Sequence, residues 1–162
     1  MIDDSLIGHC QRLIKSARTF ERSFSRPICV LDTNVALDLW LFEDPSCNSL
    51  QSSIEKGEVI PVGHFDTLLE LADVLSRPHF RFNDSDRQCM LERWLRFTTI
   101  LDDTLSEDSF CRDHDDDKFF ALAQATCATY LFSKDKKVLK ARSKARRFGC
   151  QVLSPWQFNN AI

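Results

Sequence analysis

Ile28-Cys29-Val30-Leu31-Asp32-Thr33-Asn34 is a short apolar run that ends on an acid. Ile, Cys, Val and Leu in succession predict a strand buried on both faces. The polar triplet that follows predicts an exit from the strand into a turn or helix. Similar runs recur at Val59-Ile60-Pro61-Val62, Thr98 to Leu101, Thr129 to Ser133 and Cys150 to Leu153. Pro61 predicts an irregular or exposed strand position, because proline cannot donate to a sheet ladder. Between these runs the apolar spacing is helical. One helix begins near Ala36 and a second runs through Lys56 to Gly57. A third spans His64 to Ser76 and stops at Arg77-Pro78. Asn83 to Asp86 supplies caps for a helix carried by Met90, Leu91, Trp94 and Leu95. Asp115 to Cys127 predicts another, and Pro155 opens a short terminal one. Strands separated by helices predict an α/β fold: a parallel β-sheet of about five strands flanked by helices on both faces, in three layers. Leu6, Cys10, Leu13 and Ile14 share one face of a helical extension over residues 1–26, leaving 27–162 as the α/β domain.

Composition sets bounds on the chemistry. At 162 residues, 43% hydrophobic and 28% charged, the chain has the make-up of a single soluble domain. No apolar run approaches the length of a membrane span, and acidic Met1-Ile2-Asp3-Asp4 lacks the basic start of a secretory signal. Seven scattered cysteines without a Cys-x-x-Cys pair disfavour a disulfide framework and fit a reducing cytosol. Cys29, Cys127 and Cys150 are expected to be small buried hydrophobes. The Cys111–His114 spacing has no second pair to complete a zinc site.

In parallel sheets ligands bind beyond the carboxyl ends of the strands, and four acids fall there. Asp32 closes the first strand, and Glu70 lies a few residues beyond the second. Asp117 sits in the first turn after the third, and Asp135 two residues past the fourth. Carboxylates gathered in one pocket repel each other unless divalent cations join them, which points to metal-assisted phosphodiester chemistry. Each acid also has a simpler reading. Asp32 can form an Asx turn, Asp117 and Asp135 can cap helices, and Glu70 can pair with Arg77. Glu70 lies on a largely apolar helix, so its charge calls for a partner.

The net charge of −3 conceals two opposed blocks. Asp102 to Asp117 holds eight acids and one arginine, and Lys134 to Arg147 holds eight Lys or Arg and one Asp. The two blocks can pair on the surface, or set an anionic metal pocket beside a cationic rim for a polyanion.

Four segments together resemble a known family. They are Val30-Leu31-Asp32-Thr33-Asn34-Val35, Glu70-Leu71-Ala72-Asp73-Val74-Leu75-Ser76-Arg77-Pro78, Cys111-Arg112-Asp113-His114-Asp115-Asp116-Asp117-Lys118-Phe119, and Tyr130-Leu131-Phe132-Ser133-Lys134-Asp135 with Val138-Leu139. Their order resembles the PIN domain (PilT N-terminus) nucleases, in particular the toxin components of bacterial toxin–antitoxin pairs, over about residues 27 to 158. His114 stands where the pattern has proline, and Phe132 where it has a smaller β-branched residue.

The resemblance implies a cytoplasmic endoribonuclease that hydrolyses RNA with Mg²⁺ or Mn²⁺. It also implies a small antitoxin partner and a possible homodimer. Asp32 and Asp117 are the expected metal ligands, with Glu70 and Asp135 holding a second ion or orienting water. Asn34 and Ser133 are expected to support the ligating carboxylates. Asp115 and Asp116 are candidates for the same neighbourhood, the inward-facing member of the triplet being open. Lys134, Lys136 and Lys137 are candidate phosphate contacts. Three alternatives stand beside this reading, one of them a receiver-like acidic pocket phosphorylated by a partner, for which Ser133-Lys134 is too compact to supply its Ser and Lys from separate strands. A non-catalytic PIN-like module would bind protein or RNA without cutting. A haloacid-dehalogenase-like phosphatase would need a second Asp where this chain has Asn34.

Overall fold

The computed structural model describes residues 3–22 and 25–160. Strands β1 (Ile28–Leu31), β2 (Ile60–Gly63), β3 (Thr99–Ile100), β4 (Tyr130–Phe132) and β5 (Gln151–Leu153) form one sheet in the order β3-β2-β1-β4-β5. Every pairing is parallel. Helices connect the strands: α2 (Thr33–Trp40) and α3 (Asn48–Glu55) after β1, α4 (Phe65–Leu75) and α5 (Asp84–Phe97) after β2. Then come α6 (Asp117–Thr126) after β3, and α7 (Lys136–Lys140) and α8 (Arg142–Arg146) after β4. Helix α1 (Asp4–Lys15) precedes the sheet. The order reverses between β1 and β4, which makes their carboxyl ends the switch point of the sheet.

Alternation along the strands divides the core in two. Cys29, Leu31, Tyr130 and Phe132 pack with side chains of α1 to α5 on one face. Ile28, Val30, Leu131 and Val152 pack with those of α6 to α8 on the other. A parallel sheet covered on both faces needs apolar side chains on both, so its strands read as continuous apolar runs. No helix among the described residues is long and apolar enough to cross a membrane.

The part before β1 is integral to these layers. Cys10 of α1 is fully buried in the first core. Residues 18–20 are not helical: Ile100 donates to the Arg18 carbonyl and accepts from the Phe20 N–H, each at 2.8 Å. This short backbone pairing covers the outer side of β3, where unpaired N–H and C=O groups would otherwise face solvent.

Two expectations are corrected. Pro61 is buried inside the sheet, paired with Cys29, rather than exposed or irregular. The Ile60 N–H points toward β1, where it meets the Pro27 carbonyl. The alternation of a strand therefore turns the missing N–H of Pro61 toward β3, whose pairing starts one residue later at Val62. Cys127 is exposed rather than buried. It ends α6 in the left-handed conformation, at φ 54°, and that turn carries its side chain away from the apolar face.

Gly63 ends β2 beneath Trp94, and a Cβ there would lie 2.6 Å from the Trp94 Cζ2 atom. Gly63→Ala is expected to destabilise the protein by about 1–3 kcal/mol through overpacking. Urea unfolding followed by tryptophan fluorescence measures this. An unchanged midpoint would contradict the packing argument.

Candidate active site

Asp32 follows the last residue of β1 and caps α2. Its Oδ1 accepts the Val35 N–H at 2.9 Å, and its Oδ2 accepts the Ser133 hydroxyl. The residue is 5% exposed, so both oxygens are bound inside the fold. Ser133 lies just past β4, fully buried, and its Oγ also accepts the Asp135 N–H at 3.0 Å. One hydroxyl thus links the acids that follow the two strands at the switch point. Asp135 in turn caps α7, its Oδ1 accepting the Lys137 N–H at 2.8 Å.

Glu70 reaches the same region from the middle of α4. Its Oε2 accepts the Thr33 hydroxyl, and its Oε1 receives the Lys118 ammonium at 2.7 Å. Lys118 is therefore the cation that answers the Glu70 charge, while Arg77 pairs with Asp73. Thr33 is buried whereas Asn34 is exposed, so the side chain that steadies Glu70 is Thr33 rather than Asn34. Once Asp32 is the cap, Thr33 is the first helical residue.

The acidic triplet splits three ways. Asp115 is exposed. Asp117 turns toward the preceding loop: Oδ1 accepts the N–H groups of Phe110 at 2.9 Å and Cys111 at 2.8 Å, and Oδ2 pairs with His114 at 2.9 Å. Burial pushes the Asp117 carboxyl upward, but those hydrogen bonds hold it below the ordinary range. Asp116 faces the other acids. Its Oδ2 is buried and accepts no hydrogen bond among the described residues. Burial, and then the charges of Asp113, Asp135, Glu70 and Asp32, push its carboxyl up to about 7. Asp32 is pushed up to about 6, chiefly by burial and then by Glu70 and Asp135, against the pull of Ser133 and Val35. The structure thus brings Asp32 and Asp116 within electrostatic reach of each other and of Glu70 and Asp135, and gives Asp117 to the loop.

The lysines after Ser133 also separate. Lys134 is ion-paired to buried Asp38 of α2, which raises its pKa against the effect of burial. Lys137 stands 3.8 Å from Asp113, and Lys136 is exposed with no ion pair among the described residues.

Two open grooves meet at Lys118. One, of about 410 Å³, is lined by Asp66, Glu70, Asp73, Arg77 and Asp115 among others. The larger, of about 940 Å³, runs between α1 and the 101–109 loop to His114 and Asp117.

The sequence profile of the PIN domain family matches residues 29–137, a span that holds all of these acids. The chain belongs to the PIN domain family. No curated protein matches it. PIN domains are in general hydrolytic nucleases that act on nucleic acid and typically use divalent metal ions. The donor set of this PIN domain is all oxygen, as hard divalent ions prefer. The buried, unpartnered Oδ2 of Asp116 fits the same role. Against that, no three His, Cys, Asp or Glu side chains among the described residues stand ready to ligate one ion. The oxygens of Asp32 and Glu70 turn instead to Ser133, Thr33 and Lys118. The residues suit a cation in kind, and holding one requires some of these hydrogen bonds to be exchanged.

A carboxyl whose folded pKa lies above its unfolded value of 3.8 favours the fold while protonated. The Asp32 and Asp116 contribution is therefore present at low pH and is lost as pH rises from about 4 through 7. In EDTA, the wild type is expected to lose more melting temperature between pH 5 and pH 8 than Asp116→Asn does. Scanning fluorimetry across that range tests it, and parallel curves would show that Asp116 is not strained.

Proposed function

We propose that this PIN domain is a metal-dependent endoribonuclease and the toxin of a toxin–antitoxin pair. The observation that carries the catalytic part is the meeting of Asp32, Glu70, Asp116 and Asp135 at the switch point. They lie close enough that Asp32 and Asp116 are both held well above the carboxylate range by burial and by neighbouring charge. Such a group gains most from a divalent cation. When bound, Mg²⁺ or Mn²⁺ supplies Lewis-acid polarisation of the scissile phosphate and a more acidic water.

In this reading Asp32, Asp116, Asp135 and Glu70 are the ligands. The Ser133 hydroxyl fixes the rotamer of Asp32, and Thr33 fixes that of Glu70. Lys118 pairs with Glu70 at 2.7 Å, and its ammonium would be free to meet a phosphate where a cation took over that carboxylate. Asp117 acts through structure, by pinning the 110–111 backbone under the turn that presents Asp116. The toxin role, the antitoxin partner and a possible homodimer rest on the motif resemblance. All seven cysteines are free, which supports a reducing cytosol.

A second reading, a non-catalytic PIN module that binds RNA or protein, is favoured by the absence of a ready three-ligand set among the described residues. Titration with Mn²⁺ separates the two, since the module would show no carboxylate-dependent binding.

Purified protein is expected to cleave single-stranded RNA in Mg²⁺ or Mn²⁺ and to stop in EDTA. Asp32→Asn and Asp116→Asn are each expected to lower kcat/KM at least about 100-fold, or roughly 3 kcal/mol, with the fold intact. Asp117→Ala leaves two backbone N–H groups unmet and is expected to cost roughly 1–3 kcal/mol of stability. Cleavage that survives EDTA, or survives both Asn variants, defeats the metal reading. Growth arrest on expression, relieved by the adjacent open reading frame, tests the toxin role.

A further inference from the structure

The acidic and basic blocks are joined among the described residues by a single ion pair, Lys137 with Asp113. Most of the basic block is therefore not spent on neutralising the acidic one. Part of it lines a cleft of about 280 Å³, formed by Phe110 and Arg112 on one side and Lys137, Lys140, Ala141, Ser143 and Lys144 on the other. No carboxylate among the described residues lines this cleft. Lys137, Lys140 and Lys144 come at spacings of three and four residues, from α7 and α8. Arg112 enters from the opposite loop, just before the turn that carries Asp116. Arg112, Lys140 and Lys144 are exposed and have no ion pair among the described residues. Cations that converge from separate elements in a chain of net charge −3 repel one another without a counter-charge.

We propose that this cleft is a phosphate subsite for a single-stranded RNA backbone, placed beside the catalytic acids. The inference rests on the nuclease reading for its substrate class, and it locates where that substrate is held. Asp135 caps α7, which carries Lys137 and Lys140 away from it, so Lys140 lies roughly 7.5 Å along the helix from that acid. A strand whose scissile phosphate sits at Asp32 and Asp116 reaches the cleft with a neighbouring phosphate. Arg112 offers a planar fork suited to two phosphate oxygens, the lysines offer point charges, and the Ser143 hydroxyl offers a neutral donor. Phe110 closes the cleft with an apolar wall, and its ring stacks on Phe120 of α6 at 5.6 Å between centroids. The loop wall of the cleft is thus anchored to α6 by this ring contact, while α7 and α8 supply the other wall. Lys134, held by Asp38, takes no part in it.

The test is binding, so that it stands apart from turnover. A labelled 12-residue oligouridylate is titrated onto the full chain in EDTA over a range of KCl concentrations. The triple variant Arg112→Gln, Lys140→Gln, Lys144→Gln is compared with Arg12→Gln, Lys15→Gln, Lys56→Gln, which removes the same charge from the opposite layer. The cleft variant is expected to bind at least about tenfold more weakly, and its slope of log affinity against log salt to fall by about 2. The control is expected to stay near wild type. Equal losses in the two variants, or no loss in the cleft variant, overturn the subsite. Inorganic phosphate tests the source of the phosphate. Displacement of RNA only at concentrations far above that of RNA phosphates supports a strand site, and displacement at equal concentration overturns it. Lys140→Gln alone, with an unchanged circular dichroism spectrum, guards against misfolding and is expected to raise KM for RNA while leaving kcat within about twofold. Wild-type cleavage with an unmoved KM in that variant defeats the subsite and spares the nuclease. Cleft-dependent binding without any wild-type cleavage defeats the nuclease and spares the subsite.

Discussion

Repulsion among carboxylates at the switch point is the constraint around which the rest of the structure is arranged. Asp32, Glu70, Asp116 and Asp135 come from four separate elements, and three of them are held by hydrogen bonds or an ion pair. A helix cap and the Ser133 hydroxyl hold Asp32. A threonine and a lysine hold Glu70. A cap holds Asp135. Asp116 alone keeps a buried oxygen unpartnered among the described residues. An unmet, desolvated carboxylate is costly in a marginally stable domain.

The same constraint explains the surroundings. Lys118 and Ser133 each touch an acid directly and soften the repulsion without removing it. Asp117 appears redundant in a list of acids, yet it does the mechanical work of the motif. Three hydrogen bonds tie it to the 110–114 segment, so the turn that presents Asp116 is fixed from behind. Adjacent residues with identical chemistry thereby take opposite roles. The opposing basic block is mostly left over from this balance, which is why it is available to a polyanion.

The fold was legible because a doubly covered parallel sheet forces apolar continuity into every strand, and Ile28 to Leu31 displays it. Elements stayed legible where a cap or break marked them, as at Asn83 or Gly149. The candidate site was legible only to the resolution of a helical turn. Choosing among Asp115, Asp116 and Asp117 requires knowing where α6 starts, and a one-residue shift rotates a side chain by about 100°. The helix after Asp32 starts at once rather than at Ala36, so Thr33 rather than Asn34 turns inward toward Glu70. Lys118 went unassigned because its partner lies 48 residues away on α4. Pro61 looked wrong for an inner strand because the length of β3, which decides whether its N–H is needed, is not written near it.

The bond between Ser133 and Asp32 spans 101 residues of chain. Strand β1 is made early, yet its neighbour β4 arrives only after α2 to α6 have been made. Pairing at such separation makes folding slow relative to local structure. On a ribosome, Asp32 emerges long before the residues that complete its pocket. A growing chain therefore carries its acids as isolated charges, and the assembled site comes into being only once β4 and α7 have been made. Whatever the pocket does to nucleic acid, it cannot do before Ser133 and Asp135 have been made.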